Sequence, residues 1–324
     1  MDVIVMHANS DKMPLKIQDK HLELMRQHAD NVYYFKNEEE LLASGVDAEV
    51  LFAWGGTGKQ PETFCNQSKR LKWFNTFSAG VNPLMECSIR DLPIVITNAA
   101  GIHGKPMGIT TMGFVISFLR KFPLMWENQK KHIREKPAQL PEEPEGKTLG
   151  VVGAGSIGSD VARYAKALGF RVIGVKRKVM PLENYDEVYS NQELDKALGQ
   201  MDFVVILTPL TQDTRGLFNA ERFAACKPGA YVINIARGPV VDTAALIEAL
   251  QSGHLGGAAL DALDPADLPA DSPLWDMPNV FITPQYSATS PLYVDRAVEQ
   301  FIRNLDNFKA GRPLFNVIDV DALT

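Results

Sequence analysis

The sequence predicts an α/β protein of two lobes, each a parallel sheet flanked by helices. Three observations predict it. Short apolar runs alternate with amphipathic stretches along nearly the whole chain, the pattern of parallel βαβ units. A glycine-rich turn, Gly153 to Gly158, joins an apolar strand to a helix near the middle. A chain of 324 residues, 45% hydrophobic and 22% charged, has enough apolar material for two cores.

In the first third, VIVMHA, NVYYF, AEVLFAW, LKWFNTFS and LPIVITNAA read as strands, with PLKIQDKHLELMRQHA as a helix between the first two. Together they form one lobe. From Gly108, GITTMGFVISFLRKF keeps apolar residues at helical spacing without a charge before Arg120, which predicts a buried helix between lobes or subunits. The Pro- and charge-rich run 134–147 is an exposed connector. TLGVVGAGSIG then opens a second βαβ series, and FVVILTP, AYVINIA, GGAALDAL and NVFITP supply further strands. A last long helix, 290–311, leads to a tail that the simplest topology returns to the first lobe. The expected domains are 1–98 with 290–324, and 99–289.

Composition excludes several functions. A net charge of -6 and a pI of 5.6 leave no basic face for nucleic acid, whose phosphates need clustered Lys and Arg. An acid at position 2 does not fit a signal peptide, and no apolar run approaches the ~20 residues of a membrane span. The expectation is a cytoplasmic protein. Cys65, Cys87 and Cys226 are too few and too scattered for a disulfide framework or a zinc site. His7, His21, His28, His132 and His254 lack ligand spacing, so no metal is expected.

The turn Gly153-Ala-Gly-Ser-Ile-Gly158 carries the first chemistry. Gly153 permits a tight turn, Gly155 lets a pyrophosphate approach the backbone, and Gly158 allows close helix packing. Ser156 and Ile157 begin the helix, where free N–H groups and the helix dipole favour phosphate. A Rossmann-type dinucleotide site follows. The acid that holds ribose hydroxyls in an NAD site belongs about 20 residues on, yet FRVIGV ends there in Lys176, Arg177 and Lys178. Three cations suit a 2′-phosphate, which favours NADP(H) and leaves NAD(H) open.

The run CKPGAYVINIARGPVVDTAALIEAL (226–250), together with GAGSIG, SAGVN (78–82), TNAAGIHGKP (97–106), LTPLTQDTRGLF (207–218) and SPLW (272–275), resembles the D-isomer-specific 2-hydroxyacid dehydrogenase family. The basic turn and Trp54 are similar to its NADPH-dependent glyoxylate and hydroxypyruvate reductase branch. The resemblance implies a cleft between the two lobes that takes a small 2-oxo or 2-hydroxy acid as substrate, and a homodimer joined through the cofactor lobe. It implies that Arg237 holds the substrate carboxylate and carbonyl, a role that suits a cation at a strand end. It further implies that Gly80 and Val81 receive the carboxylate on backbone N–H groups, with Trp54 and Ala79 also among the substrate-binding residues. Thr208, Pro209, Ala236 and Asp261 match cofactor contacts, Asp261 taking the nicotinamide amide as donor.

Two positions depart from the family. Its acid histidine, in T-P-H, is Gln285 in Thr283-Pro284-Gln285, and its supporting glutamate falls on Ala266. An amide can donate a hydrogen bond but cannot surrender a proton near pH 7. His103 in GIHGKP is the candidate substitute acid, beside the alternative that it only makes structural bonds. Tyr286 and Lys105 could assist, and Asp264 and Asp267 flank Ala266. The expectation is a reductase of 2-oxo acids with Arg237, Gln285 and His103 at its centre. The competing expectation is a catalytically impaired NADP(H)-binding sensor or interaction protein on the same fold. A hydride transfer that needs no proton, as in formate oxidation, ranks below both.

Overall fold

A computed structural model describes residues 1–7, 16–53, 61–80, 84 and 86–319. Trp54 and Val81 lie outside the described residues. The chain divides into two compact units, Met1–Ile102 with Ser290–Thr324, and His103–Thr289.

In the first unit β1 (Asp2–Met6), β2 (Asn31–Phe35), β3 (Val50–Ala53), β4 (Trp73–Thr76) and β5 (Val95–Thr97) form a parallel sheet in the order β2-β1-β3-β4-β5. That 2-1-3-4-5 order is the flavodoxin-like winding. Every residue of β3 and β4 is buried, as expected of strands covered on both faces. Helices α1 (Asp19–Arg26), α2 (Glu38–Ser44) and α3 (Glu62–Gln67) connect the strands. The α1 helix starts later than its apolar spacing suggests. Gln18 is extended and caps it, and its N–H donates to His21 Nδ1 at 3.0 Å.

The C-terminal helix Tyr293–Lys309 belongs to this unit. Its buried stripe, Val294, Ala297, Val298, Phe301 and Leu305, has the helical period. Phe301 stacks on Phe52 with centroids 4.3 Å apart and on Trp73 at 5.2 Å. The tail is therefore core material for the first sheet.

The second unit holds seven parallel strands: β6 (Thr148–Val152), β7 (Arg171–Val175), β8 (Glu187–Tyr189), β9 (Phe203–Ile206), β10 (Ala230–Asn234), β11 (Leu255–Leu260) and β12 (Val280–Ile282). Their order is β12-β11-β10-β9-β6-β7-β8. This is the Rossmann winding, with its switch point between β6 and β9. The short edge strand β8 was not expected, because Glu187-Val-Tyr189 sits between polar residues without an apolar run.

Helices α4 (Gly104–Leu119), α5 (Phe122–Lys130), α6 (Ser156–Ala167), α7 (Leu194–Leu198), α8 (Ala220–Ala225) and α9 (Thr243–Gln251) surround the sheet. The single helix expected over 108–122 is broken. Lys121 has φ 59°, and Pro123 then stands in the first turn of α5, where a missing N–H costs nothing. The α4 helix lies tightly against α6: a Cβ on Gly108 would stand 2.8 Å from the Tyr164 ring. Its other end reaches Phe281, through Phe114 at 5.8 Å and Phe118 at 5.0 Å. Ile109, 64% exposed, shows that α4 is not covered all round. Among the described residues, no helix is long and apolar enough to cross a membrane.

Because all seven strands are parallel, their carboxyl ends share one edge. Gly153, Lys176, Thr208, Arg237, Asp261 and Gln285 each follow a different strand and lie along it.

Candidate functional site

The glycine turn leaves β6 under firm constraint. The N–H groups of Gly153 and Ala154 both donate to Val175 O, at 3.0 and 3.1 Å, which fixes the turn to the neighbouring strand. Gly153 has φ 101°, and a Cβ there would stand 2.7 Å from Leu207 C and Thr208 N. Only glycine fits. Gly155 differs: a Cβ would meet nothing nearer than Gly153 O at 4.0 Å, so the space over the turn is open. Gly155 caps α6, Ser156 and Ile157 begin it, and Gly158 faces Val151 and Tyr185 at 3.0 Å from an imagined Cβ. The first N–H groups of a helix have no intrahelical acceptor.

Among the described residues, two buried hydroxyls beside this turn find no hydrogen-bond partner, Thr208 Oγ1 and Tyr185 Oη. Burial pushes the Tyr185 phenol up. An open space over exposed N–H groups, with an unsatisfied threonine hydroxyl beside it, fits a dinucleotide phosphate group. At the end of β7, Lys176 is half-buried and Arg177 and Lys178 are exposed. Among the described residues, none of the three forms an ion pair. Pro209 is exposed, and its carbonyl accepts from Thr214 Oγ1 at 2.6 Å.

The ends of β10, β11 and β12 are joined by two buried polar side chains. Asn234, fully buried, donates from Nδ2 to Arg237 O at 3.2 Å and to Ala262 O at 3.0 Å, while its Oδ1 accepts from the buried Ala236 N–H at 3.1 Å. Gly238 completes this contact, since a Cβ would stand 1.8 Å from Leu263 O. Arg237 itself is exposed. Its Nη1 donates to Ala236 O at 2.8 Å, and among the described residues it pairs with no carboxylate.

Asp261 is the second buried group, 4% exposed. Its carboxylate accepts from Thr283 Oγ1 at 2.7 Å, Tyr286 N at 2.9 Å, Ser287 N at 3.2 Å and Ser287 Oγ at 2.5 Å. These four donors match the roughly four acceptor sites of a carboxylate. The turn they hold contains Gln285, which has φ 50° and an exposed side chain. Sequence reasoning had identified Asp261 but not this use of it, and had passed over Asn234 entirely. Thr283 and Ser287, two residues either side of Gln285, were the available signal.

Other expected residues are placed less tellingly. His103 is half-buried just before α4, and its carbonyl accepts from Met107 N at 3.1 Å. Lys105 and Tyr286 are exposed, as are Asp264, Ala266 and Asp267. In the first unit, Ala79 and Gly80 are half-buried, and Ala79 O accepts from Asn98 Nδ2 at 2.9 Å. Asn98 O in turn accepts from Asn316 Nδ2 at 3.3 Å, so the tail braces this loop.

Comparison with known proteins identifies the family. Residues 112–287 match the family model of the D-isomer specific 2-hydroxyacid dehydrogenase, NAD binding domain. The chain is 31% identical to a structure of a family member from Aeromonas salmonicida, with a TM-score of 0.82 and 99% of both chains covered. It is 28% identical to the NADPH-dependent glyoxylate/hydroxypyruvate reductase of Sinorhizobium meliloti, solved with NADP and sulfate, with a TM-score of 0.79 and 99% of both chains covered. The D-3-phosphoglycerate dehydrogenase of Bacillus subtilis is 32% identical over 267 residues, 82% of this chain. The chain spans about half, 50%, of the length of that relative. With more than half of its length matched by the family model, and with this fold, the chain belongs to the D-isomer-specific 2-hydroxyacid dehydrogenases, NAD(P)-dependent oxidoreductases of small 2-hydroxy and 2-oxo acids.

Proposed function

We propose that the protein reduces a small 2-oxo acid of the glyoxylate or hydroxypyruvate type to the D-2-hydroxy acid, preferring NADPH to NADH. The observation that carries this reading is the shared carboxyl edge: a glycine turn open to phosphate, a cation without an ion pair among the described residues and a presented carboxamide follow strands of one parallel sheet. The named S. meliloti relative, an NADPH-dependent reductase of such acids, supports the choice of substrate.

Gly153 to Gly158, Thr208, Pro209 and Ala236 would hold the cofactor, with Lys176, Arg177 and Lys178 on a 2′-phosphate. When bound, the reduced nicotinamide supplies a hydride. Arg237 binds the substrate carboxylate and carbonyl through a guanidinium that forms no ion pair with the described residues, and its charge stabilises the developing alkoxide. Trp54, Ala79, Gly80 and Val81 are assigned to the rest of the acid. Gln285 donates from its NH₂ to the carbonyl oxygen. As hydride adds to carbon, the carbonyl electron pair moves to oxygen, and the proton that completes the hydroxyl comes from His103 or water. Lack of a general acid at 285 costs ~10²- to 10⁴-fold, about 3 to 5 kcal/mol.

A cytoplasmic homodimer is part of the same reading. Phe122, Leu124 and Trp126 on α5 are 41%, 44% and 48% exposed, and Leu124 and Trp126 border, with Trp275, an open concavity of about 1050 Å³ in the second unit. Apolar exposure of this kind marks an association face. Free thiols at Cys65, Cys87 and Cys226 suit a reducing compartment.

The exposed Ala266 and the carboxamide at 285 favour a second reading, a cofactor-binding sensor without turnover. One experiment separates them: calorimetry with NADPH and NADH, then absorbance with a panel of 2-oxo acids. We expect NADPH to bind more tightly than NADH and at least one acid to be reduced slowly. Tight NADPH binding without turnover on any acid selects the sensor. Equal binding of NADH overturns the role of the three cations.

A further inference from the structure

We infer that Asp261 and Asn234 are positioning residues that set the spacing between Gln285 and Arg237. The inference rests on the reading of those two side chains as the groups that meet the substrate. Strand register supplies the frame. Asn234 pairs with Leu260 and Leu260 with Ile282, so Arg237 and Gln285 each stand three residues past aligned positions on β10 and β12. Two strand spacings separate them, roughly 10 Å of backbone.

That spacing alone does not hold a side chain in place. Gln285 has left-handed backbone, which a residue other than Gly holds only where its neighbours offset the steric cost. Asp261 enforces it from both sides, through the Thr283 hydroxyl before and the Tyr286 and Ser287 amides after. Asn234 does the same for Arg237 through its carbonyl, and its bond to Ala262 O ties that grip to the residue after Asp261. The result is one continuous buried frame.

A double-mutant cycle tests this, read on kcat and KM for an oxo acid and on oxamate affinity in the NADPH complex. Asp261→Asn turns an NH₂ toward the donors. It should lower kcat about tenfold or more while the KM of the acid changes less than about threefold. In a Gln285→Gly background, Asp261→Asn should then leave kcat within about twofold of Gln285→Gly alone, because its effect acts through the absent side chain. Asn234→Ala should raise KM instead, with the same silence when Arg237→Ala is already present. Should Asp261→Asn fail to fold, Ser287→Ala, which removes one donor, gives a smaller loss with the same dependence on Gln285. Losses that multiply in the double variants overturn the positioning role and leave the reductase reading intact. A wild-type protein that neither reduces an oxo acid nor binds oxamate overturns both.

Discussion

The turns that end β6 and β12 lie on the same edge of the same sheet, yet they are built by opposite means. The first is made by leaving atoms out: at Gly153 a Cβ would strike the Leu207 and Thr208 backbone. The second is made by adding one, a buried carboxylate at Asp261 that gathers four donors around Gln285. A turn of missing side chains leaves a signature in a short stretch of sequence. A turn held by a distant side chain leaves none, because the bond-forming residues are 22 to 26 positions apart.

The largest effect should come from giving the second turn the atom it lacks. Gln285→His should raise 2-oxo acid reduction by about 10²-fold, the lower end for a general acid, since Ala266 offers no carboxylate to support the imidazole. Only the protonated ring can give a proton, so the gain should be present below a pH of about 6.5 and fade as pH rises through it. A pH–rate profile of the variant against wild type checks both. No gain at any pH would break the view that the turn is an acid's cradle.

The first turn should break under the smallest addition. Gly153→Ala forces a Cβ to within 2.7 Å of backbone at φ 101° and should cost about 1–3 kcal/mol, read as a lower unfolding midpoint, with loss of NADPH binding. Gly155→Ala is the sharper and milder probe. Its Cβ meets open space, so stability should move by less than about 0.5 kcal/mol. NADPH affinity should still fall roughly tenfold, about 1.4 kcal/mol, because the methyl group occupies the approach to the backbone. If Gly155→Ala binds NADPH as wild type does, the open space is not where phosphate sits.

The same contrast explains what could be read before the structure. Apolar periodicity gave the two-lobed α/β fold and its longer strands, because burial on both faces writes continuous apolar runs. It failed where a strand carries no apolar run, at β8, and where one residue overrode it, at Lys121. Arg237 and the glycines were legible because their neighbours in sequence are also their neighbours in space. Asn234 and Asn98 were not. Each works by gripping a carbonyl, at Arg237 and Ala79, and nothing in a string of letters says which carbonyl a buried amide will face.

The left-handed backbone at Gln285 also limits which residues can replace it. Branched side chains such as Val, Ile or Thr are disfavoured there, whereas Gly, Asn, Asp and His tolerate the conformation. Glutamine and histidine codons differ only in their third base. A single nucleotide change could therefore place an imidazole in a loop already shaped to carry it, without any remodelling of the fold.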